Sequence, residues 1–181
     1  MEFEIRLLDR IQKWSSPVLD EIMKGISSLG NYGILWIVLA VVLVLIPKTR
    51  KTGFAVAAAL LLEGLLCNVI LKNAIGRIRP YDVNSEILLL VEPLKDYSFP
   101  SGHTAASFSV VTALCFSTRK KSIWIPFLVI AILIAFSRLY LYVHYPTDVL
   151  GGVVLGFICG YLGWRLVDWL YAKIQQKRMR A

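Results

Sequence analysis

The chain has 181 residues, 57% of them hydrophobic, and a formal net charge of +8. A soluble domain of this length carries fewer apolar residues and interrupts them with charge. Here the apolar runs recur at about 20 residues, the length that suits a bilayer. Positive charge in a soluble protein would suggest nucleic acid, but here it falls in short runs between apolar stretches, so it reads as membrane topology and no nucleic-acid partner is expected.

The opening MEFEIRLLDRIQKW is acidic at once, with no apolar core and small-residue cleavage site after it, so a secretory signal is not expected. Phe3, Ile5, Leu7, Leu8, Ile11 and Trp14 alternate with charges at helical spacing. This predicts a helix lying in the membrane interface over residues 1–16. Ser15-Ser16-Pro17 separates it from the next helix, with Ser16 as cap and Pro17 in the first turn. Five apolar spans follow. The first ends in Gly33–Ile46 and is expected to start earlier, in VLDEIMKGISSLGNYG. The others are Gly53–Ile75, Gly102–Thr118, Ile123–Val143 and Val149–Tyr171. The expected fold is an all-α integral membrane protein, a bundle of five transmembrane helices (six is the alternative) with an N-terminal interfacial helix. One domain covers 1–181: the interfacial helix 1–16, the bundle 17–171 and a basic cytoplasmic tail 172–181.

Cytoplasmic loops retain Lys and Arg. Lys48–Lys51, Arg119–Lys121 and Lys173–Arg180 all fall on one face if five spans alternate, and that face is taken as inside. The opposite face holds the N-terminal region, the loop Arg79–Ser101 with Asp82, Glu86, Glu92 and Asp96, and the short turn His144–Asp148. Gly152, Gly156 and Gly160 recur every four residues in the last span, small-residue spacing that lets two helices approach closely. Cys67, Cys115 and Cys159 lie in apolar stretches without disulfide or zinc spacing and read as small hydrophobes. Glu63 lies inside the second span, nine residues from Lys72 and so on the opposite face of a regular helix. An interhelical hydrogen bond is the preferred reading for it.

Three stretches gather polar residues at the outer ends of the spans. KNAIGRIRP supplies Lys72 and Arg79; PSGH supplies Ser101, Gly102 and His103; SRLYLYVHYPTD supplies Arg138, His144 and Asp148. Singly, each has a plain reading: a Lys or Arg at a helix end snorkels to the headgroups, a histidine near the interface is a satisfied polar group, and Gly102 is a turn glycine. Arg77 is best read as interfacial. Arg138, however, sits well within an apolar stretch, where an unpaired Arg is costly. A site for an anion explains Arg138, Lys72 and Arg79 together. Arg and Lys make charge-assisted hydrogen bonds to phosphate oxygens, and such clamps stabilise the charge on a transferring phosphoryl group. The N–H groups of Ser101, Gly102 and His103 open a helix and favour an anion, while Gly102 lets that backbone come close. Asp148, four residues after His144, can hold one ring nitrogen as N–H and leave the other free to attack. His103, on another helix, is then the general acid for the leaving group.

With their internal gaps and order, KNAIGRIRP, PSGH and SRLYLYVHYPTD resemble the three-part signature of the type 2 phosphatidic acid phosphatase family, over about Glu63 to Gly160. That family includes bacterial phosphatidylglycerophosphate and undecaprenyl diphosphate phosphatases and shares a core with vanadium haloperoxidases. The resemblance implies a lipid phosphatase that needs no metal or other cofactor and works through a phosphohistidine. It implies that Lys72, Arg79, Ser101, Gly102 and Arg138 bind phosphate, that His144 is the nucleophile with Asp148 as partner, and that His103 is the acid. Many bacterial members have six spans where five are counted here, which bears on the N-terminal edge. Two other readings compete. A metal could use the two histidines and Asp148, but three nearby cations would repel it. A non-catalytic lipid-phosphate binder or transporter would be expected to show repeats and broken helices, and would not need the His–Asp pair. The expected partners are the bilayer and a lipid phosphate or diphosphate, with undecaprenyl diphosphate first and phosphatidylglycerophosphate and phosphatidic acid as alternatives. The expected location is a bacterial inner membrane with the site facing away from the cytoplasm.

Overall fold

Ser16 caps α2 (Pro17–Ser28) by accepting from the Leu19 N–H at 3.4 Å, with Pro17 in the first turn as the sequence predicts. The computed structural model describes residues 2–84, 86–118 and 120–180, and every regular element in it is helical. The interfacial segment forms α1 (Glu2–Gln12). Its Leu8 and Ile11 are buried against the turn that follows the fourth expected span, around Tyr140–Tyr145. Gln12 Nε2 fixes that contact by donating to the Tyr140 carbonyl at 2.8 Å.

The first expected span is broken in two. α2 and α3 (Ile34–Leu45) are bent by 42° across a short 3-10 turn, Asn31–Gly33. Tyr32 and Gly33 both take positive φ there, 52° and 66°, which a continuing helix does not allow. α4 (Arg50–Glu63) runs on through a π-helical segment, Gly64–Leu71, into α5 (Lys72–Ile75). A short α6 (Pro80–Val83) follows, then α7 (Gly102–Ser117), α8 (Lys121–Tyr140) and α9 (Pro146–Arg180).

Three helical stretches, Arg50–Val83, Lys121–Tyr140 and Pro146–Lys177, are long and apolar enough to cross a membrane, and α2 with α3 adds a fourth when the bent pair is taken as one broken span. The third expected span is the short one. α7 has 16 residues, short of the roughly 20 a bilayer asks for. Its Ala-, Ser- and Thr-rich sequence is spent on neighbours instead, and most of it is buried between α4, α8 and α9. The basic tail continues the α9 helix to Arg180.

Glycine contacts set the spacing of the bundle. A Cβ on Gly152, Gly156 or Gly160 would lie 2.8, 2.6 or 2.4 Å from the carbonyl oxygens of Ser101, Ala105 and Ser109. The predicted stripe is therefore the seam between α9 and α7. Gly163 meets α4 in the same way, 2.5 Å from the Ala59 nitrogen. At one end of the bundle Lys51 pairs with Asp168 at 2.6 Å. The expected site residues gather at the other end.

Candidate active site

Gly76 ends α5 with φ +61°, and the chain passes through Arg77–Arg79 before Pro80 opens α6. This sharp exit leaves Lys72 on the last helical turn and swings Arg79 inward. Both cations are buried and share one carboxylate. Lys72 pairs with Asp96, and Arg79 NH2 lies 2.6 Å from Asp96 Oδ1. Arg79 also donates to the carbonyls of Asp96 (2.8 Å) and Val143 (2.7 Å), which fixes its fork. Partial burial pushes the Asp96 carboxyl up, but hydrogen bonds and charge from Lys72 and Arg79 hold it down at about 2. Asp96 therefore stands as an anion between the two cations expected to hold a phosphate.

The second stretch opens α7. The Cβ that Gly102 lacks would crowd Asn68 Oδ1 at 3.2 Å and reach ordinary contact with Lys72 Nζ at 3.7 Å, so this backbone lies directly beside Lys72. One expectation needs correction. The Ser101 N–H is not available to an anion, because it donates to the Asp148 carbonyl at 3.0 Å. The first helical bond runs from the Ala105 N–H to the Ser101 carbonyl, so the N–H groups of Gly102 and His103 precede it. Ser101 Oγ is buried and accepts from Thr104 Oγ1 at 3.0 Å.

The third stretch carries Arg138, His144 and Asp148. Arg138 is 3% exposed, donates to Ser27 Oγ, leaves its Nε unpartnered, and has no carboxylate partner among the described residues. A buried cation without a counter-ion is costly, and an anionic ligand would supply one. His144 Nδ1 lies 3.5 Å from Asp148 Oδ2, close but outside hydrogen-bond geometry, and His144 Nε2 lies 3.4 Å from Arg79 NH1. Burial pushes the His144 ring down to about 3; Asp148 opposes this, and the Arg79 and Arg138 cations add to it. The ring is neutral at ordinary pH, as a nucleophile must be.

Asp148 is fully buried and is held by more than its histidine. Oδ2 accepts from Ser98 Oγ (2.5 Å) and the Tyr145 N–H (2.9 Å), and Oδ1 accepts from Arg77 NH1 at 2.5 Å. Arg77 is thus no simple interfacial cation. It also bonds Thr147 Oγ1 (2.6 Å) and Glu4 (2.8 Å) and stacks over the Tyr145 ring at 3.9 Å. Through Glu4, α1 reaches the carboxylate beside His144. The signal for Arg77 lay in the sequence: between Gly76 and Pro80 the backbone is not helical, and in an extended stretch residues two apart share a face. Nothing distinguished Asp96 from the other loop acids.

His103, Arg138, Lys72, Asp96 and Gly102 line one cavity of about 800 Å³, and Glu63 lines it too. The sequence put Glu63 and Lys72 on opposite faces. The π-helical segment between them, with its wider turn, rotates them onto a common cavity. Glu63 is 4% exposed, and its Oε1 has no hydrogen-bond partner among the described residues, so the expected interhelical bond from that oxygen is not made.

Apolar helices hold Lys72, Arg138 and His103 around one cavity; Arg79 pairs with Asp96 of its lining, and the neutral, buried His144 lies next to Arg79. This arrangement suits phosphoryl transfer in a membrane. Comparison with known proteins carries this further. The model of the PAP2 superfamily matches residues 52–172. The chain is 31% identical over 161 residues to an undecaprenyl-diphosphatase of Sulfolobus acidocaldarius, covering 88% of this chain and 76% of that protein. It is 33% identical over 155 residues to undecaprenyl-diphosphatase BcrC of Bacillus subtilis, covering 86% and 78%. A crystal structure of a PAP2-type phosphatidylglycerolphosphate phosphatase from Bacillus subtilis superposes with a TM-score of 0.74 at 30% identity, covering 96% of this chain and 86% of that one. The chain belongs to the PAP2 superfamily and is a multi-pass membrane lipid phosphatase, a hydrolase.

Proposed function

We propose that this phosphatase removes the terminal phosphate of undecaprenyl diphosphate, on the side of the membrane away from the cytoplasm, through a phosphohistidine at His144. The observation that carries the chemistry is Arg138, a buried cation without a carboxylate partner among the described residues, in the cavity that also holds Lys72 and His103. Lys72, Arg79, Arg138 and the N–H groups of Gly102 and His103 bind the phosphate oxygens; Ser101 shapes the loop that presents them. His144 Nε2, the nitrogen facing Arg79, attacks phosphorus. Asp148, fixed by Ser98, Tyr145 and Arg77, stabilises the imidazolium that forms. The P–N bond forms as the bond to the bridging oxygen breaks, and His103 gives its proton to that oxygen. Water then attacks the phosphohistidine, His103 takes a proton from it, and inorganic phosphate leaves. No step calls for a metal or other cofactor. The two undecaprenyl-diphosphatases among the relatives, each matched over more than four fifths of this chain, support the substrate.

Charge supports the sidedness. Of 20 Lys and Arg, 11 lie in Lys48–Lys51, Arg119–Lys121 and Arg165–Arg180, the face opposite the site. The test is phosphate release by purified protein in detergent, in excess EDTA, from undecaprenyl diphosphate, phosphatidylglycerophosphate, phosphatidic acid and lipid A. The highest kcat/KM is expected for undecaprenyl diphosphate; preference for another lipid overturns the substrate, and loss of activity in EDTA overturns the metal-free mechanism. For sidedness, Asn84→Cys or Ser122→Cys is placed in a background without Cys67, Cys115 and Cys159. An impermeant maleimide on intact cells should label position 84 and spare 122, and the reverse would put the site in the cytoplasm.

A further inference from the structure

The break between α2 and α3 is docked on the catalytic end of α7 at several points. Asn31 Oδ1 lies 3.0 Å from His103 Nε2. Gly30 lies flush against the same ring, where a Cβ would come 2.5 Å from His103 Cδ2 and 3.2 Å from Cγ. One turn further along α3, Trp36 Nε1 donates to Ser107 Oγ at 3.1 Å, and Ser107 Oγ in turn donates to the His103 carbonyl at 2.7 Å. On the other side of the break Ser27 Oγ accepts from Arg138. The bend of 42° and the positive φ values of Tyr32 and Gly33 therefore do not sit in a free loop. They turn Gly30 and Asn31 onto one imidazole.

We propose that Asn31 and Gly30 are positioning residues for His103, which hold its ring orientation and keep the transferable proton on Nε2. The amide oxygen of Asn31 can only accept a hydrogen bond, so the ring nitrogen facing it carries the proton. Gly30, without a side chain, lets the ring lie at the depth where that nitrogen meets the cavity. When a lipid phosphate enters, the oxygen that will leave takes the place of Asn31 Oδ1 as acceptor. The negative charge of the bound phosphate favours the imidazolium form of the ring; the Nε2 proton moves to that oxygen as the P–O bond breaks and leaves a neutral imidazole with its proton on Nδ1. This rests on the reading of His103 as general acid and adds where its proton is held and by what. Gly30 has φ −86° and ψ −6°, a conformation open to any residue. Substituting Ala there acts through the ring and its neighbour Ile134, not through backbone strain.

The test compares two substrates of the full-length protein in detergent. An alkyl phosphate has a poor leaving group that needs the acid, whereas p-nitrophenyl phosphate has a good one that needs it little. Asn31→Leu and Gly30→Ala are expected to lower kcat on the alkyl phosphate by about 10–100-fold, part of the 10²–10⁴ a general acid supplies. On p-nitrophenyl phosphate they should cost less than about 3-fold, and inhibition by vanadate should be unchanged, since the clamp is untouched. Asn31→Asp keeps an acceptor and should recover most of the alkyl phosphate rate lost in Asn31→Leu. His103→Ala separates the two layers. If it fails to discriminate between the substrates, the acid role itself is wrong. If it discriminates while the Asn31 and Gly30 variants slow both substrates equally, or neither, the positioning role is wrong.

Discussion

Gly156→Ala should damage catalysis from a position two turns below the site. Its new Cβ would lie 2.6 Å from the Ala105 carbonyl, 2.7 Å from Phe108 Cβ and 2.9 Å from the Ser109 nitrogen. Two of these are backbone atoms of α7, so no side chain can rotate away. The contact with Ala105 is about 0.8 Å inside the 3.4 Å where ordinary van der Waals contact begins. α9 must move off α7 by about that much, or both must bend. Overpacking of this kind costs about 1–3 kcal/mol, or about 2–4 °C in Tm per kcal/mol at this chain length. The two helices also carry the two halves of the site, Asp148 on α9 and Gly102–His103 on α7. A displacement of about 1 Å in a phosphoryl-transfer site can cost about 10²-fold. Phosphate release and thermal unfolding of purified Gly156→Ala should therefore fall together, by about 10–100-fold and by several degrees. Gly25→Ala is the control, because a Cβ at Gly25 meets nothing within 4 Å; it should leave turnover intact and raise stability slightly. Wild-type turnover and Tm in Gly156→Ala would refute the view that the glycine seam sets the geometry of the site.

Arg77→Ala removes the cation from Asp148 and cuts the link to Glu4; kcat should fall about 10-fold or more, with KM changed less, and an unchanged kcat in a phosphate-release assay would return Arg77 to the surface. The His144 ring is held at about 3, below its ordinary 6.5, by burial and the Arg79 and Arg138 cations. Protonation, which removes the nucleophile, is thus delayed to low pH, and Arg79→Met should move the acid limb of the rate profile upward; a limb that stays put or moves down would contradict the charge argument. Orthovanadate, a mimic of the transferring phosphoryl group, should inhibit, and Arg138→Ala should weaken that inhibition along with turnover; equal affinity would mean that Arg138 only packs.

The signatures were legible because their chemistry is local: PSGH opens a helix, His144 stands in the turn before another with Asp148 in that helix's first turn, and the Gly152–Gly160 stripe can serve only a close helix seam. What the sequence hid was non-local or against the regular period. The π-helical segment Gly64–Leu71 turns Glu63 and Lys72 onto one cavity, and no periodicity of 3.6 could show that. Asp96 is one acid among several in its loop until folding sets it between Lys72 and Arg79. The shortness of α7, 16 residues, is equally hidden, because apolar character serves burial between helices as well as contact with lipid.

The central claim, that His144 attacks phosphorus, is tested most directly by rapid quenching of purified protein with a substrate labelled in its terminal phosphate, followed by peptide mapping of the adduct. Wild type should carry an acid-labile, alkali-stable label on the peptide containing His144, and His144→Ala should show neither label nor turnover. Label on another residue, or near wild-type phosphate release by His144→Ala, would contradict it.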